Sequence, residues 1–241
     1  MGIIVQKFGG TSVADNEKLL KVCKHAIKEY EKGNKVVVVV SAQGDLTDIL
    51  VSQEAEISQN PDKREHDVLL STGEQITIAK LAIYLKELGY NTISYTGWQL
   101  PIITDNIYGN ANIIDINTKK IMEELEHNKI VIVAGFQGIT EDGNITTLGR
   151  GGSDTTAVAL ASYLKAEKLY IYTDVDGVYS DDPRINKSAV KYKTISYDKM
   201  IEMSKNGAKV LHTKCIEMAK ENNVPIIVKS TFVDNEGTIV K

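Results

Sequence analysis

Five consecutive valines, residues 36–40, constrain the fold more than any other feature of this 241-residue chain. An unbroken run of β-branched residues is typical of a strand buried on both faces, as in parallel sheets that are covered by helices. A helical pattern over residues 16–32 precedes the run, and Gly33 supplies a stop signal for that helix. The segment therefore predicts a sheet with helices on both of its faces.

The rest of the chain continues this alternation of apolar runs and helical patterns. We predict further strands at residues 92–95, 130–134, 169–173, 225–229 and 237–240. We predict further helices at residues 74–88, 113–126, 155–165, 197–206 and 214–222. A hairpin is expected over residues 140–147, with its turn at Asp142–Gly143, and residues 58–64 look most like a loop. This order predicts an α/β sandwich around a largely parallel sheet, whose ligands bind beyond the carboxyl ends of the strands.

Composition narrows the class of protein. The formal net charge of −4 argues against sequence-independent binding of nucleic acid, although local basic pockets remain compatible with it. Cys23 and Cys215 lie far apart in helical patterns and are expected to be reduced packing residues. The four histidines form no metal-ligand spacing, and we see no secretory signal or membrane-length apolar run. A cytoplasmic enzyme without a membrane partner is the resulting expectation.

The first chemical motif is the transition from an apolar run into Lys7–Phe8–Gly9–Gly10–Thr11–Ser12 and then into a helix. Glycines allow the backbone to approach an anion closely, and the following helix presents free N–H groups. Lys7 adds a positive charge at the end of the strand. The motif predicts a site for phosphoryl transfer.

The second motif, residues 146–155, also runs from a strand through glycines into a helix, and it contains Arg150 and Asp154. The planar guanidinium of Arg150 can bind a carboxylate or a phosphate with two hydrogen bonds. A tight turn alone would explain the glycines. Two such turns, one with lysine and one with arginine, favour anion binding.

The third motif is acidic and follows the strand at 169–173, with Asp174, Asp176 and Tyr179 close to its end. Carboxylates at this edge can bind Mg²⁺ through water or contact a ribose, and the Tyr179 ring can pack on an adenine. A solvated acidic loop is the alternative. The chain lacks the Walker A, protein-kinase and nucleophile-elbow motifs, and its first glycines do not have Rossmann spacing.

Together, eight segments resemble the aspartokinases within the amino-acid kinase family. The segments, in chain order, are KFGGTSV, SAQG with Thr47, LLSTGEQ, SYTGWQ, IVAGFQG, TTLGRGGSDTTA, YTDVDGVYSDDPR and GAKVLH. The resemblance implies a three-layer αβα sandwich around an open, mostly parallel sheet. It also implies transfer of the ATP γ-phosphoryl group, with Mg²⁺, to the side-chain carboxylate of L-aspartate.

The resemblance also implies roles for individual residues. Catalysis is expected to rest on Lys7, Asp154 and Lys209. Nucleotide binding is expected from Lys7, Gly9, Gly10, Thr173, Asp174, Tyr179, Arg184 and Lys209. Binding of aspartate is expected from Ser41, Thr47, Glu74, Arg150, Gly151, Gly152, Ser153 and Asp154. No residue is expected to be a dedicated metal ligand.

The resemblance divides the chain into an amino-acid-binding part, about 1–145, and a nucleotide-binding part, about 146–241, and we expect no regulatory domain in it. Feedback inhibition by lysine or threonine is therefore not expected of this chain alone. A homo-oligomer is expected, and a separate regulatory subunit is a further candidate partner. Asp45 stands where the family usually has an uncharged residue, and it either weakens substrate affinity or faces solvent.

Two alternatives stay open. One is a related activity on glutamate, acetylglutamate, carbamate or UMP, which the LGRGGSDTTA and SYTGWQ segments disfavour. The other is a regulatory binding protein without catalysis, against which the retained Lys7, Glu74, Arg150, Asp154 and Lys209 argue.

Overall fold

The structure is a computed structural model that describes residues 2–183, 185–208 and 210–241. Its twelve strands are β1 (Ile3–Phe8), β2 (Lys35–Val40), β3 (Thr92–Tyr95), β4 (Ile102–Thr104), β5 (Ile113–Ile116), β6 (Ile130–Ala134), β7 (Gln137–Ile139), β8 (Ile145–Thr147), β9 (Lys168–Thr173), β10 (Thr194–Ile195), β11 (Ile226–Ser230) and β12 (Thr238–Val240). Its eight α-helices are α1 (Asn16–Tyr30), α2 (Leu46–Ile57), α3 (Lys63–Leu70), α4 (Thr72–Glu87), α5 (Lys119–Glu126), α6 (Gly152–Tyr163), α7 (Tyr197–Lys205) and α8 (Thr213–Glu221). A single 3₁₀ turn, Gly10–Ser12, joins β1 to α1.

The central sheet has eight strands in the order β10-β12-β11-β9-β1-β2-β6-β3. Among the described pairings of this sheet, only β11 with β12 is antiparallel, so the expected mostly parallel sheet is confirmed. Strand β1 pairs with β2 on one side and with β9 on the other, so the first strand of the chain lies between strands from its first and second halves. A smaller sheet, in the order β5-β4-β7-β8, extends from the carboxyl end of β6.

The valine run forms β2 in the interior of the large sheet and serves both hydrophobic cores. Val36, Val38 and Val40 pack with α1 and α4 on one face. Val37 and Val39 pack on the other face, against a layer that includes α5, α6 and α8. All five valines are fully buried, which explains why the sequence shows no polar alternation here. The result is the expected three-layer αβα sandwich.

Most predicted elements are present within one to three residues of their expected bounds, including the hairpin at Asp142–Gly143, where Gly143 has φ of 83°. The predicted helix over residues 113–126 is wrong in its first part. Ile113–Ile116 is a strand that pairs antiparallel with β4, and the helix begins only at Lys119. Two adjacent isoleucines fit a helix face or a strand equally well, and the neighbouring β4 decides between them.

Helices α2 and α3 were not expected. They occupy the region around the predicted loop at 58–64, which is reduced to the short connection before Lys63. Helix α2 contains no buried residue, so its sequence shows little helical amphipathicity.

One helical stretch, Lys63–Glu87, is long and apolar enough to cross a membrane by length and composition alone. It corresponds to α3 and α4, and half of its most apolar window is buried inside the fold. Helix α4 packs Leu81 and Leu85 into the hydrophobic core against α1 and the central sheet.

Candidate active site

The carboxyl ends of the central strands carry a buried ion pair. Lys7 lies one residue before the end of β1, and Asp154 lies in the first turn of α6. The Lys7 Nζ is 2.5 Å from Asp154 Oδ1, and the two side chains are only 11% and 7% exposed. Asp154 Oδ1 has no additional hydrogen-bond partner in the described structure, so Lys7 is its neutralising contact. The pair joins the two glycine motifs that the sequence singles out.

The first glycine turn lies directly beside this pair. A Cβ atom placed on Gly9 would stand 3.5 Å from the Lys7 Nζ, which locates the ammonium group over the Gly9 backbone. A Cβ on Gly10 would stand 3.0 Å from the Ala42 carbonyl oxygen and 3.1 Å from that of Gly44. The Gly44 N–H also donates to the Gly10 carbonyl. The turn after β1 therefore packs closely against the turn after β2, and a side chain at Gly10 would press on two backbone carbonyl oxygens.

Glu74 reaches the same turn from the first turn of α4. Its Oε1 accepts a hydrogen bond from the Ala42 N–H at 2.9 Å, whereas its Oε2 is buried with no hydrogen-bond partner. Burial raises the pKa of Glu74 to about 8, although the bond from Ala42 opposes this shift. An unpartnered buried carboxyl oxygen beside these glycine turns is complementary to a cationic group.

Arg150 lies in the turn before α6, four residues before Asp154 in the chain. It is exposed, and its guanidinium forms no ion pair with the described carboxylates. Gly149 and Gly151 flank it with φ of 73° and 74°, a conformation that glycine adopts without steric cost. A Cβ on Gly151 would stand 2.4 Å from the His212 ring, so the ring covers this glycine. The turn is thus held in place while the guanidinium remains free to bind an anion.

Ser153 lies between Arg150 and Asp154 on the same helix start and is buried. Its Cβ and Oγ would be 2.7 and 2.8 Å from a Cβ on Gly135, which follows β6. Gly152 is also buried and packs on Phe136. The start of α6 is therefore seated on the carboxyl end of β6, and the first turn of a helix carries amide groups without partners inside the helix.

A cavity of about 680 Å³ opens beside β9 and accommodates a nucleotide-sized ligand. Thr173, Asp174 and Tyr179 all line it, together with the end of α7 and residues 206–208. The Tyr179 hydroxyl donates to Asp176 Oδ1 at 2.8 Å, and Lys191 Nζ binds Asp176 Oδ2 at 3.0 Å. These bonds hold the Tyr179 ring as a wall of the cavity.

The remaining predicted site residues are placed as follows. Ser41 directly follows β2, and its N–H donates to the Phe8 carbonyl, so it lies at the same edge of the sheet as Lys7. Thr47 is half-buried in the first turn of α2, one turn beyond Gly44. Asp45 is exposed at that helix start. Arg184 and Lys209 lie outside the described residues.

Three residues that hold the site together were given no role at the site by the sequence analysis, although His212 lies in the GAKVLH segment. The Thr231 hydroxyl bonds Ser12 Oγ at 2.7 Å and so anchors the first glycine turn to the end of β11. His212 covers Gly151, and the buried Asp67 carboxylate binds the chain just before the Arg150 turn. Two signals in the sequence could have indicated them. Thr231 comes shortly after a predicted strand, and Asp67 is a charged residue next to the apolar residues 68–70.

Within residues 2–183, 185–208 and 210–241, no group of three or more His, Cys, Asp or Glu side chains can hold a metal ion. The charged groups near the glycine turns are instead arranged to bind anions. Such a site can hold a polyphosphate and a second anion close together, because lysine, arginine and backbone amides offset their mutual repulsion.

Comparison with known proteins identifies the family of the chain. The sequence profile of the Amino acid kinase family matches residues 2–230, nearly the whole chain. The chain belongs to the amino acid kinase family. Its similarity to curated members is high: it is 57% identical over 241 residues to an aspartokinase of Bacillus sp. (strain MGA3) and to aspartokinase 2 of Bacillus subtilis (strain 168). The chain spans 59% of the length of each of these two relatives.

Solved structures of amino acid kinase family members share the fold. Aspartate kinase from Synechocystis aligns with a TM-score of 0.89 at 44% identity, covering 99% of this chain and 39% of the other. E. coli aspartokinase III, in complex with aspartate and ADP, aligns with a TM-score of 0.87 at 26% identity, covering 99% and 64%. A UMP kinase from Bacillus anthracis has the same fold at 19% identity.

Proposed function

We propose that this chain catalyses ATP-dependent phosphorylation of the L-aspartate side-chain carboxylate, which yields 4-phospho-L-aspartate, the first intermediate toward lysine, threonine and methionine. The observation that carries the proposal is the arrangement around the Lys7–Asp154 pair. Buried Glu74 has a free carboxyl oxygen at the turn after β2, and exposed Arg150 has a free guanidinium in the turn before α6. An α-amino acid offers the ammonium and the carboxylate that these two groups require.

The nucleotide is assigned to the cavity at Thr173, Asp174 and Tyr179, with its phosphates directed toward Lys7 and the Gly9–Gly10 turn. This assignment makes residues 146–241 mainly the nucleotide side and residues 1–145 mainly the amino-acid side. Lys209 and Arg184 are proposed to contribute on the nucleotide side. The similarity to an aspartokinase solved with aspartate and ADP supports the same pair of ligands.

The chemistry needs alignment and charge compensation more than proton transfer. A carboxylate with a reference pKa of about 3.9 is already ionised at neutral pH and requires no general base. Lys7 is positioned to stabilise the charge of the transferring phosphoryl group, while Asp154 holds its ammonium in place. The amide groups at the start of α6 and the Arg150 guanidinium orient the acceptor.

Mg²⁺ is proposed to enter with the nucleotide, held mainly by phosphate and water oxygens as this ion prefers. Asp174 fits this assignment because it is exposed at the cavity and presents carboxylate oxygens there. The ion would neutralise phosphate charge on the side of the nucleotide.

The test is ADP release with L-aspartate, glutamate, acetylglutamate and UMP, run in parallel with trapping of an acyl phosphate by hydroxylamine. Aspartate-dependent ADP release with matching hydroxamate is the expected result. Activity on glutamate, acetylglutamate or UMP instead of aspartate would overturn the proposal and identify that compound as the acceptor. ATP binding without turnover on any acceptor would instead support the alternative that the chain is a regulatory binding protein without catalysis.

A cytoplasmic location, a homo-oligomer and a separate regulatory subunit are also proposed for the protein that contains this chain. These proposals are drawn from the resemblance of the sequence motifs to the aspartokinases. Size measurement of the purified protein in solution tests the oligomer.

A further inference from the structure

Asp67 is the most completely buried carboxylate that the proposed mechanism does not use. It lies on α3 with no exposed surface. Among the described residues, no lysine, arginine or histidine forms an ion pair with it. A buried charge of this kind is costly unless several donors stabilise it. The donors around Asp67 therefore indicate what the carboxylate holds.

The donors come from two separate segments of the chain. The Gly109 N–H lies 3.0 Å from both carboxyl oxygens. The Thr147 N–H donates to Oδ2 at 2.8 Å, and the Thr147 hydroxyl donates to Oδ1 at 2.7 Å. In addition, the Ala111 N–H donates to the Thr147 carbonyl at 2.9 Å. Asp67 thus fixes the loop at 109–111 against the end of β8.

This fixed junction leads directly to Arg150. Thr147 is three residues before Arg150, and the intervening Gly149 packs against the same loop. A Cβ on Gly149 would stand 2.8 Å from Asn110 Oδ1 and 3.0 Å from the Gly109 carbonyl oxygen. The backbone before Arg150 is therefore set by the loop that Asp67 holds, whereas His212 covers the backbone after it.

We propose that Asp67 is a positioning residue for Arg150, and that it sets the affinity of the site for the carboxylate of its acceptor. This role rests on the proposed function for the identity of the acceptor. Charge-assisted hydrogen bonds to backbone amides are shorter and stronger than neutral ones, so a carboxylate holds the turn more firmly than an amide would. A misplacement of about 1 Å is enough to weaken a bidentate contact.

The test compares Asp67→Asn with a matched control. Asparagine keeps one oxygen that can still accept from the backbone N–H groups, but its NH2 group replaces the second acceptor oxygen and the negative charge is lost. The control is Thr92→Val, which removes a buried hydrogen bond from the Thr92 hydroxyl to the Ile130 carbonyl. This bond joins the amino ends of β3 and β6, whereas the site lies at the carboxyl ends of the strands. We expect Asp67→Asn to raise KM for aspartate about tenfold, with KM for ATP changed less than about twofold. Thr92→Val should lower stability without changing either KM.

A double-mutant cycle separates positioning of Arg150 from a general structural role. If Asp67 acts through Arg150, Asp67→Asn should raise KM for aspartate in the wild-type background but not in the Arg150→Ala background. Equal effects in both backgrounds, or an equal rise in KM for ATP, would overturn the proposal.

Hydrogen exchange gives a readout that does not depend on the acceptor. The Thr147 amide and the amides of residues 149–151 should exchange faster in Asp67→Asn than in wild type and Thr92→Val. If these amides exchange faster in Asp67→Asn but the wild type has no aspartate-dependent activity, the role of Asp67 in positioning the turn is supported and the proposed function is refuted. Unchanged exchange would refute the positioning role by itself.

Discussion

The Lys7 ammonium lies 2.5 Å from the Asp154 carboxylate, so the end of β1 and the start of α6 are joined by a buried ion pair. The pair links the two glycine motifs across the middle of the chain. Its lysine also lies beside Gly9, where the phosphates are proposed to bind. Lys7 is therefore proposed to act on the substrate, and Asp154 is proposed to hold Lys7 in position.

Replacement of Lys7 by alanine should lower turnover about a hundredfold or more, as judged from the loss of single charge-stabilising donors in other enzymes. The reason is that no other described cation lies beside Gly9. Lys168→Ala is the matched control, because Lys168 is an exposed lysine at the amino end of β9. Near-normal turnover of a folded Lys7→Ala protein would contradict the assigned role of Lys7.

The same substitution should also lower stability by about 3 kcal/mol or more, because it leaves Asp154 buried without its counter-charge. Replacing both partners, as in Lys7→Met with Asp154→Asn, should recover most of this loss but none of the activity. Urea unfolding of the single and double variants measures the difference. A double variant as unstable as Lys7→Ala would show that the loss arises from packing rather than from the unpaired charge.

Glu74 should make substrate affinity depend on pH. Its pKa is raised to about 8, so the carboxyl group is mostly protonated at neutral pH without ligand. A bound ammonium favours the ionised form, and KM for aspartate should therefore fall as pH rises toward 8, by up to about tenfold per unit. Glu74→Gln should bind aspartate weakly with little dependence on pH. An unchanged pH profile in this variant would remove Glu74 from the substrate site.

The same group should affect folding stability with a definite sign. The unfolded chain ionises Glu74 near its ordinary pKa of 4.5, whereas the folded protein keeps the proton until about pH 8. The folded state thus binds more protons in this interval, and the free energy of unfolding should decrease as pH rises through it. In Glu74→Gln, this contribution to the slope should be absent from denaturant curves recorded between pH 5 and 8 (roughly the window set by these pKa values). An equal slope in both proteins would argue against burial of the protonated form.

Gly151 and Gly143 allow backbone strain to be separated from close contact. Both have positive φ, 74° and 83°, so alanine at either position should cost about 1–2 kcal/mol. Gly143 has open space around it, whereas a Cβ on Gly151 would collide with the His212 ring. Gly151→Ala should therefore be the less stable variant by thermal unfolding and should raise KM for aspartate. Equal behaviour of both variants would mean that His212 moves aside at little cost.

The sequence analysis recovered elements that have strong local signals. The Val36–Val40 run, the glycines after α1 and α4 and the glycine-rich turns after β1 and β8 are local features, and they predict the sandwich and the edge of the sheet at which ligands are expected to bind. The strand at Ile113–Ile116 was mistaken for helix, because pairing with β4 outweighs an ambiguous local pattern. Helix α2 was missed because it buries no residue and so carries little periodic signal.

What the sequence determined by itself was the type and order of most strands and helices and the chemical types at the ends of the strands that it predicted, since these follow from short-range patterns of apolar residues, glycine and charge. What only the tertiary structure decided was which of those groups meet. Lys7 pairs with Asp154 across 147 positions of chain, and Asp67 binds Thr147 across 80. Such contacts depend on the order in which strands join the sheet and on how closely the glycine turns pack, and neither is encoded in any local stretch of the sequence.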